Sequence, residues 1–156
     1  MSPVENPLPV VGPPGTRAYV DRVLAMLSDD IRYRCAHHAD LNWEPGVEVA
    51  EVHDGPAFEM SGVVVTAAPS DHRPVAPTTA YRIEHEGKVV VIAGDTVPCE
   101  GLDRICAGAD VYVQTVINTE LVKAIPSPRI QDIHDYHSSL AQAGQTATKA
   151  GVRTLV

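Results

Sequence analysis

Cysteines and large aromatic residues are scarce in this chain of 156 residues, with three cysteines, one phenylalanine and one tryptophan. The thiols are odd in number and show no C-x-x-C spacing, which excludes a disulfide framework and a zinc knuckle. Cys35, Cys99 and Cys106 therefore read as ordinary thiols. Basic charge is also short: twelve lysines and arginines face twenty acids, leaving a net charge of -8. The field of such a chain repels phosphate backbones and anionic lipid headgroups, and no local basic patch offsets it. No apolar run approaches the roughly eighteen residues of a membrane span. The start, "MSPVENPLPVVGPPGT", lacks the basic-then-apolar order of a secretory leader. These absences predict a cytoplasmic protein with no membrane partner.

What is present is a hydrophobic fraction of 44%, enough for one domain with a real core over residues 1–156. Thirteen prolines cluster at 3–14, 69–77 and 126–128, and mark connections because proline has no donor for a ladder. After "GPPG", Thr16 reads as an N-cap, with Val20, Val23, Leu24 and Leu27 at helical spacing behind it. The stretch "IRYRCAHHADLNW", 31–43, has no clean period and reads as an irregular covering segment. Strands are expected at "VEVAEV" (47–52) and "GVVVTAAP" (62–69). A hairpin should pair 80–84 with 89–93 around Glu86 and Gly87. Leu102, Ile105 and Cys106 suggest a short helix closed at Gly108, and "ADVYVQTV" another strand. A last helix carries the stripe Leu140, Ala143, Gly144 and Ala147 and ends before Gly151, after which "VRTLV" begins a strand. The order implies an α/β fold of sheets covered by helices.

The stretch "VVVIAGDTVP" carries the first chemical question. A strand expected to be buried on both faces ends on Asp95, and an uncompensated carboxylate there would be costly. It must cap the next turn or hold a cation, with Gly94 permitting the turn and Thr96 supplying a further oxygen. "APSDHRPV" places His72 in a loop just past a strand, and "DIHDYHSS" places His137 immediately before a helix that Ser138 would cap. Three element ends thus deliver metal-compatible side chains, and imidazole with carboxylate suits zinc, manganese or iron. Taken singly, each has a plainer explanation as an Asx turn or a surface histidine, and His37, His38, His53, His85 and His134 read as solvated. No G-x-S-x-G elbow supports a serine hydrolase.

Taken in order, "GPPGT", "SDHRPVAPTTAYRIEHEGKVVVIAGDTVPC", "GADVYVQTV" and "DYHSSLAQAGQTATKAGVRTLV" resemble successive blocks of the metallo-β-lactamase superfamily, in the branch of ribonuclease Z and the arylsulfatase-like hydrolases. The resemblance implies part of an αββα sandwich, two divalent metal ions with zinc first among them, and a homodimer. It makes His72 a metal ligand, Asp95 the acid that bridges two metals, and His137 a catalytic group beside them that assists the leaving group. The family's H-x-H-x-D-H signature and its last metal histidine have no counterpart here, so a fragment that binds metal poorly and is inactive is expected. No long arm follows "YRI", and "QTV" at 114–116 stands where the family reads H-E-A. With the acidic balance, these departures favour a small-molecule ester over tRNA as substrate: a phosphodiester, sulfate ester or lactone. A ribonuclease Z-type tRNA 3′-end endonuclease is the alternative, and a non-catalytic interaction module is the third reading.

Overall fold

A computed structural model describes residues 7–38 and 46–156. The chain divides into two compact units between Val52 and His53.

In the first unit, strand β1 (Leu8–Gly12) pairs in parallel with β2 (Val47–Glu51), from Leu8 opposite Val47 to Gly12 opposite Glu51. A parallel pair needs a long crossover, and helices α1 (Thr16–Met26) and α2 (Ser28–His37) lie in the connection. Gly15, in the left-handed region at φ 101°, is the N-cap of α1. Thr16, expected in that role, is the first helical residue, and its hydroxyl donates back to the Pro13 carbonyl at 2.6 Å. The Glu51 carboxylate accepts from the Gly15 and Arg17 amides, each at 2.9 Å, and takes over the capping.

Helix α2 corrects the expectation of an irregular segment over 31–37. None of its residues is buried, so the sequence has no apolar stripe from which to read a period. It is held by ion pairs one turn apart, Arg32 to Asp29 at 2.8 Å and Arg34 to Asp30 at 2.7 Å, with both aspartates in the first turn. The remainder of that segment, 39–43, lies outside the described residues.

The second unit is built on a six-stranded sheet in the order β10-β7-β6-β5-β4-β3. Its members are β3 (Gly55–Met60), β4 (Val63–His72), β5 (Val75–His85), β6 (Lys88–Ile92), β7 (Val111–Val113) and β10 (Thr154–Leu155). The four strands β3 to β6 are antiparallel neighbours, whereas β7 joins β6 and β10 in parallel. The expected hairpin forms with Glu84 opposite Val89 and Tyr81 opposite Ile92. Strand β3, which no sequence pattern announces, carries Gly55 and Pro56, and an edge strand tolerates both.

Helices α3 (Glu100–Ile105) and α6 (Leu140–Ala150) share a core with one face of the sheet, through Ala68, Ala80, Val91, Tyr112, Leu102, Ile105, Cys106 and Ala147. Arg82 lies opposite Val91 in the register and donates to the Ile105 and Ala107 carbonyls at 2.8 and 3.0 Å, closing the end of α3. The approach of α3 to β4 is tight enough that Gly101 has no room for a Cβ, which would fall 1.9 Å from the Pro69 carbonyl oxygen.

The strand expected over "ADVYVQTV" divides. β7 stops at Val113, and β8 (Val116–Ile117) pairs in parallel with β9 (Ser138–Ser139) in a separate two-stranded sheet. Between them run α4 (Thr119–Lys123), capped by the Asn118 side chain, then α5 (Pro128–Gln131) and a 3-10 turn over Asp132–Asp135. The cap of α6 is Ser139 and not Ser138: the Ser139 hydroxyl accepts from the Gln142 amide while the Gln142 side chain accepts from the Ser139 amide. Gly151, at φ 66°, ends that helix as expected.

Candidate metal centre

The end of β4, the start of β9 and the segment after β7 meet on Thr96. This residue is fully buried, and its carbonyl accepts from the Ser138 amide at 2.9 Å, the Ser138 hydroxyl at 2.8 Å and the Gln114 side-chain amide at 3.3 Å. Its hydroxyl accepts from the Asp71 amide at 3.0 Å and donates to the Val97 carbonyl at 2.8 Å. Asp71, Thr96 and Ser138 are the chain neighbours of His72, Asp95 and His137. One buried residue therefore fixes the relative placement of all three predicted site residues.

His72 is the last residue of β4, paired with Val75 at the hairpin tip, and not in a loop past the strand. Its Nδ1 lies 2.7 Å from the Tyr136 carbonyl oxygen. A carbonyl can only accept, so Nδ1 carries a proton, and in the neutral ring Nε2 is the nitrogen with the lone pair. Asp95 follows the left-handed turn at Gly94, φ 68°. The strand before it is not buried on both faces, since Val91 is fully buried while Ile92 is 45% exposed. Asp95 is itself exposed, so its carboxylate incurs little of the desolvation expected of an acid at a buried strand end. His137 stands two residues ahead of the α6 cap Ser139 and not immediately before the helix, with Ser138 and Ser139 between it and the first helical residue, Leu140.

The His137 Nε2 and an Asp95 carboxylate oxygen are 3.8 Å apart, and the ligand atoms of His72, Asp95 and His137 all lie within 4.8 Å of one another. Donors on one zinc stand about 3.4 Å apart, from bonds of about 2.1 Å at tetrahedral angles. Side-chain movements of about an ångström or less would bring the three onto one ion. The rings of His72 and His137 meet edge to face at 4.9 Å, with Tyr136 against both. The Nδ1 of His137 is buried with no hydrogen-bond partner.

The other histidines within the described residues do not join this group. His53 reaches the Thr79 hydroxyl at 3.0 Å, His85 faces Glu86 at 3.9 Å, and His37 and His38 touch each other. Tyr136 gives no signal in the sequence because it orients His72 through its backbone, which no side-chain pattern encodes. Gln114 stands out in the sequence only as a departure from the family. It receives a hydrogen bond from the Tyr112 hydroxyl and gives one to Thr96, so it belongs to the support beneath the site.

Two imidazoles and a carboxylate brought together on a mixed sheet are a donor set that could hold a metal ion in an α/β protein. Residues 2–156 match the model of the "Beta-lactamase superfamily domain", and the chain belongs to that family. It is 55% identical over 155 residues to the Ribonuclease Z of Mycobacterium avium (strain 104), a match that covers 99% of this chain and 55% of the relative. A Putative ribonuclease Z of Mycobacterium tuberculosis (strain CDC 1551 / Oshkosh) is 54% identical over 150 residues, 96% of this chain and 67% of the relative. The chain thus spans little more than half the length of the first of these. Among solved structures, human tRNase Z, short form, superposes with a TM-score of 0.67 at 18% identity, covering 98% of this chain and 61% of that one. This likeness bears out the metallo-β-lactamase-type α/β fold expected from the sequence.

Proposed function

We propose that this protein is a metal-dependent hydrolase that cleaves precursor tRNA at its 3′ end, acting in the cytoplasm. The observation that carries this is the convergence of His72, Asp95 and His137 within 4.8 Å, in a chain 55% identical to a protein named Ribonuclease Z. Divalent ions held there, zinc first and manganese or iron next, would lower the pKa of a water and offset the charge of the phosphate oxygens. His72 offers Nε2, kept in one orientation by its hydrogen bond to the Tyr136 carbonyl, the usual arrangement behind a metal-binding imidazole. Asp95 offers the carboxylate and carries the negative charge that suits a cation. His137, beside Asp95, is placed to pass a proton to the leaving oxygen. His72 and Asp95 supply two donors, which leaves the His137 nitrogen free for the proton, and the pair of ions that the resemblance implies needs further ligands.

The names of the relatives favour tRNA over the small ester that the acidic balance and short "YRI" hairpin favoured. Precursor tRNA with a 3′ trailer, incubated with zinc and the protein purified from its own cells, should be cut once at the trailer junction. Asp95→Ala should lower that rate by about a hundredfold or more. Hydrolysis of bis(p-nitrophenyl) phosphate with no cleavage of the tRNA would overturn this reading in favour of a small ester.

A further inference from the structure

Beside His72 opens a cavity of about 610 Å³, whose wall continues through Arg73, Arg129, Asp132, Asp135 and Tyr136. None of these five is absorbed by the metal-centre chemistry through its side chain, and the segment carrying four of them had no assigned role in the sequence. Asp132 and Asp135 open and close a single 3-10 turn, where residues three apart lie one above the other, so both carboxylates serve the same wall. Arg129 precedes them in α5, and Pro74 and Val75 add an apolar patch.

The charges decide what fits. Arg73 is already engaged by Asp71 at 2.6 and 3.0 Å, which leaves Arg129 as the arginine that shares the cavity lining with Asp132 and Asp135. With Arg73 cancelled by Asp71, the charges left on the wall are Arg129 against Asp132 and Asp135, a balance of one negative charge that disfavours a bare phosphate. A planar group with both donors and acceptors is suited instead, stacked against an aromatic ring and read along its edges, as single-stranded RNA bases are. Among the four bases only guanine offers a carboxylate two adjacent donors, N1–H and N2–H, with no acceptor between them. Adenine and cytosine set a ring acceptor beside their amino group, and uracil flanks its one N–H with carbonyls. Guanine also presents O6 and N7 to a guanidinium.

We propose that this cavity is a base-reading subsite that takes an unpaired guanine, with Asp132 and Asp135 on its Watson–Crick edge, Arg129 on O6 and N7, and Tyr136 against its face. It rests on the RNA-cleaving reading above, because its wall is shared with His72 and a base seated there belongs to a nucleotide close to the metal centre.

The test is a nitrogen-15 NMR titration of the 156-residue chain in EDTA with guanosine 5′-monophosphate, uridine 5′-monophosphate and inorganic phosphate in turn. The guanine nucleotide should give saturable shifts at Arg129, Asp132, Asp135 and Tyr136, with uridine monophosphate and phosphate at least about tenfold weaker. The double variant Asp132→Asn with Asp135→Asn should weaken the guanine nucleotide by about tenfold, while the rest of its spectrum stays that of the folded parent. Equal shifts from phosphate, equal binding of both nucleotides, or no binding would each overturn the subsite. Zinc titrated into the same sample after removal of the EDTA, read at His72 and His137, reports on the metal centre separately. Loss of zinc binding with guanine binding intact would count against the hydrolase reading alone.

Discussion

Replacing Gly101 with alanine separates helix propensity from packing, because the two predict opposite signs. In an exposed helix the change stabilises by about 1 kcal/mol, since glycine carries extra backbone freedom into the unfolded state. In α3 the new Cβ would lie 1.9 Å from the Pro69 carbonyl oxygen, and would have to retreat by more than an ångström to reach even the 3.0 Å limit of real Cβ contacts. That partner is backbone in the interior of β4, three residues before His72, and cannot swing aside. Helix α3 must back away from a core that includes Leu102 and Ile105, at a cost of about 1–3 kcal/mol or more for overpacking. The net expectation for Gly101→Ala is a loss of about 2 kcal/mol, seen as a lower urea midpoint by circular dichroism with an unchanged slope. Gly144→Ala in α6 is the control: beyond its chain neighbours and its own helix backbone, no atom lies within 4 Å of the position its methyl would take, so it should gain up to about 1 kcal/mol. A Gly101→Ala protein as stable as the parent would refute the close approach of α3 to β4.

The Thr96 junction gives a second expectation. Ser138→Ala removes the hydroxyl donor at 2.8 Å but leaves the Thr96 carbonyl its bond from the Ser138 amide, so the acceptor is not orphaned and the loss should be about 1 kcal/mol, measured by urea unfolding. A loss above about 3 kcal/mol would mean that Ser138 does more than donate this bond. Asp110 accepts from the Val89 amide at 3.0 Å, with Lys88 and Arg153 alongside, and these hold its carboxyl below the usual range. A depressed folded pKa gives stability that is present above the unfolded value of about 3.9 and lost as pH falls through the lower folded value. Urea midpoints from pH 7 to 3 should therefore fall less steeply for Asp110→Asn than for the parent, and identical slopes would contradict the assignment. Cys106 is fully buried and its thiol is pushed up to about 12 by desolvation, with Asp103 adding to the rise, so iodoacetamide at pH 8 should label half-buried Cys99 well before Cys106. Peptide mass spectrometry showing equal rates would place Cys106 outside the core.

The elements legible in the sequence are those whose pattern and punctuation agree. The β5–β6 hairpin is announced by Glu86 and Gly87, both at positive φ, between two apolar runs. Helix α6 shows its buried stripe at Ala143 and Ala147 and its stop at Gly151, although Leu140, counted in that stripe, is 62% exposed. Elements held by something other than buried area are not legible. Helix α2 rests on ion pairs, β3 takes its place from a neighbour strand, and α4 and α5 are five and four residues long, too short for a period to show.

The candidate site divides along the same line. His72, Asp95 and His137 are legible because their chemistry lies in the side chain and each sits at the end of an element. What holds them together is not legible, because it runs through main chain: the Tyr136 carbonyl on His72, the Thr96 carbonyl on Ser138, the Asp71 amide on Thr96. The sequence pattern around Asp95 suggests a buried acid that must cap a turn or hold a cation, yet Asp95 is exposed, and the buried group at that strand end is its neighbour Thr96. The burial that the pattern implies for the acid therefore belongs to the residue that aims it. A carboxylate left facing solvent on a turn anchored through its buried neighbour Thr96 can meet an incoming cation with little reorganisation, whereas a buried one would already have had to find a partner within the protein.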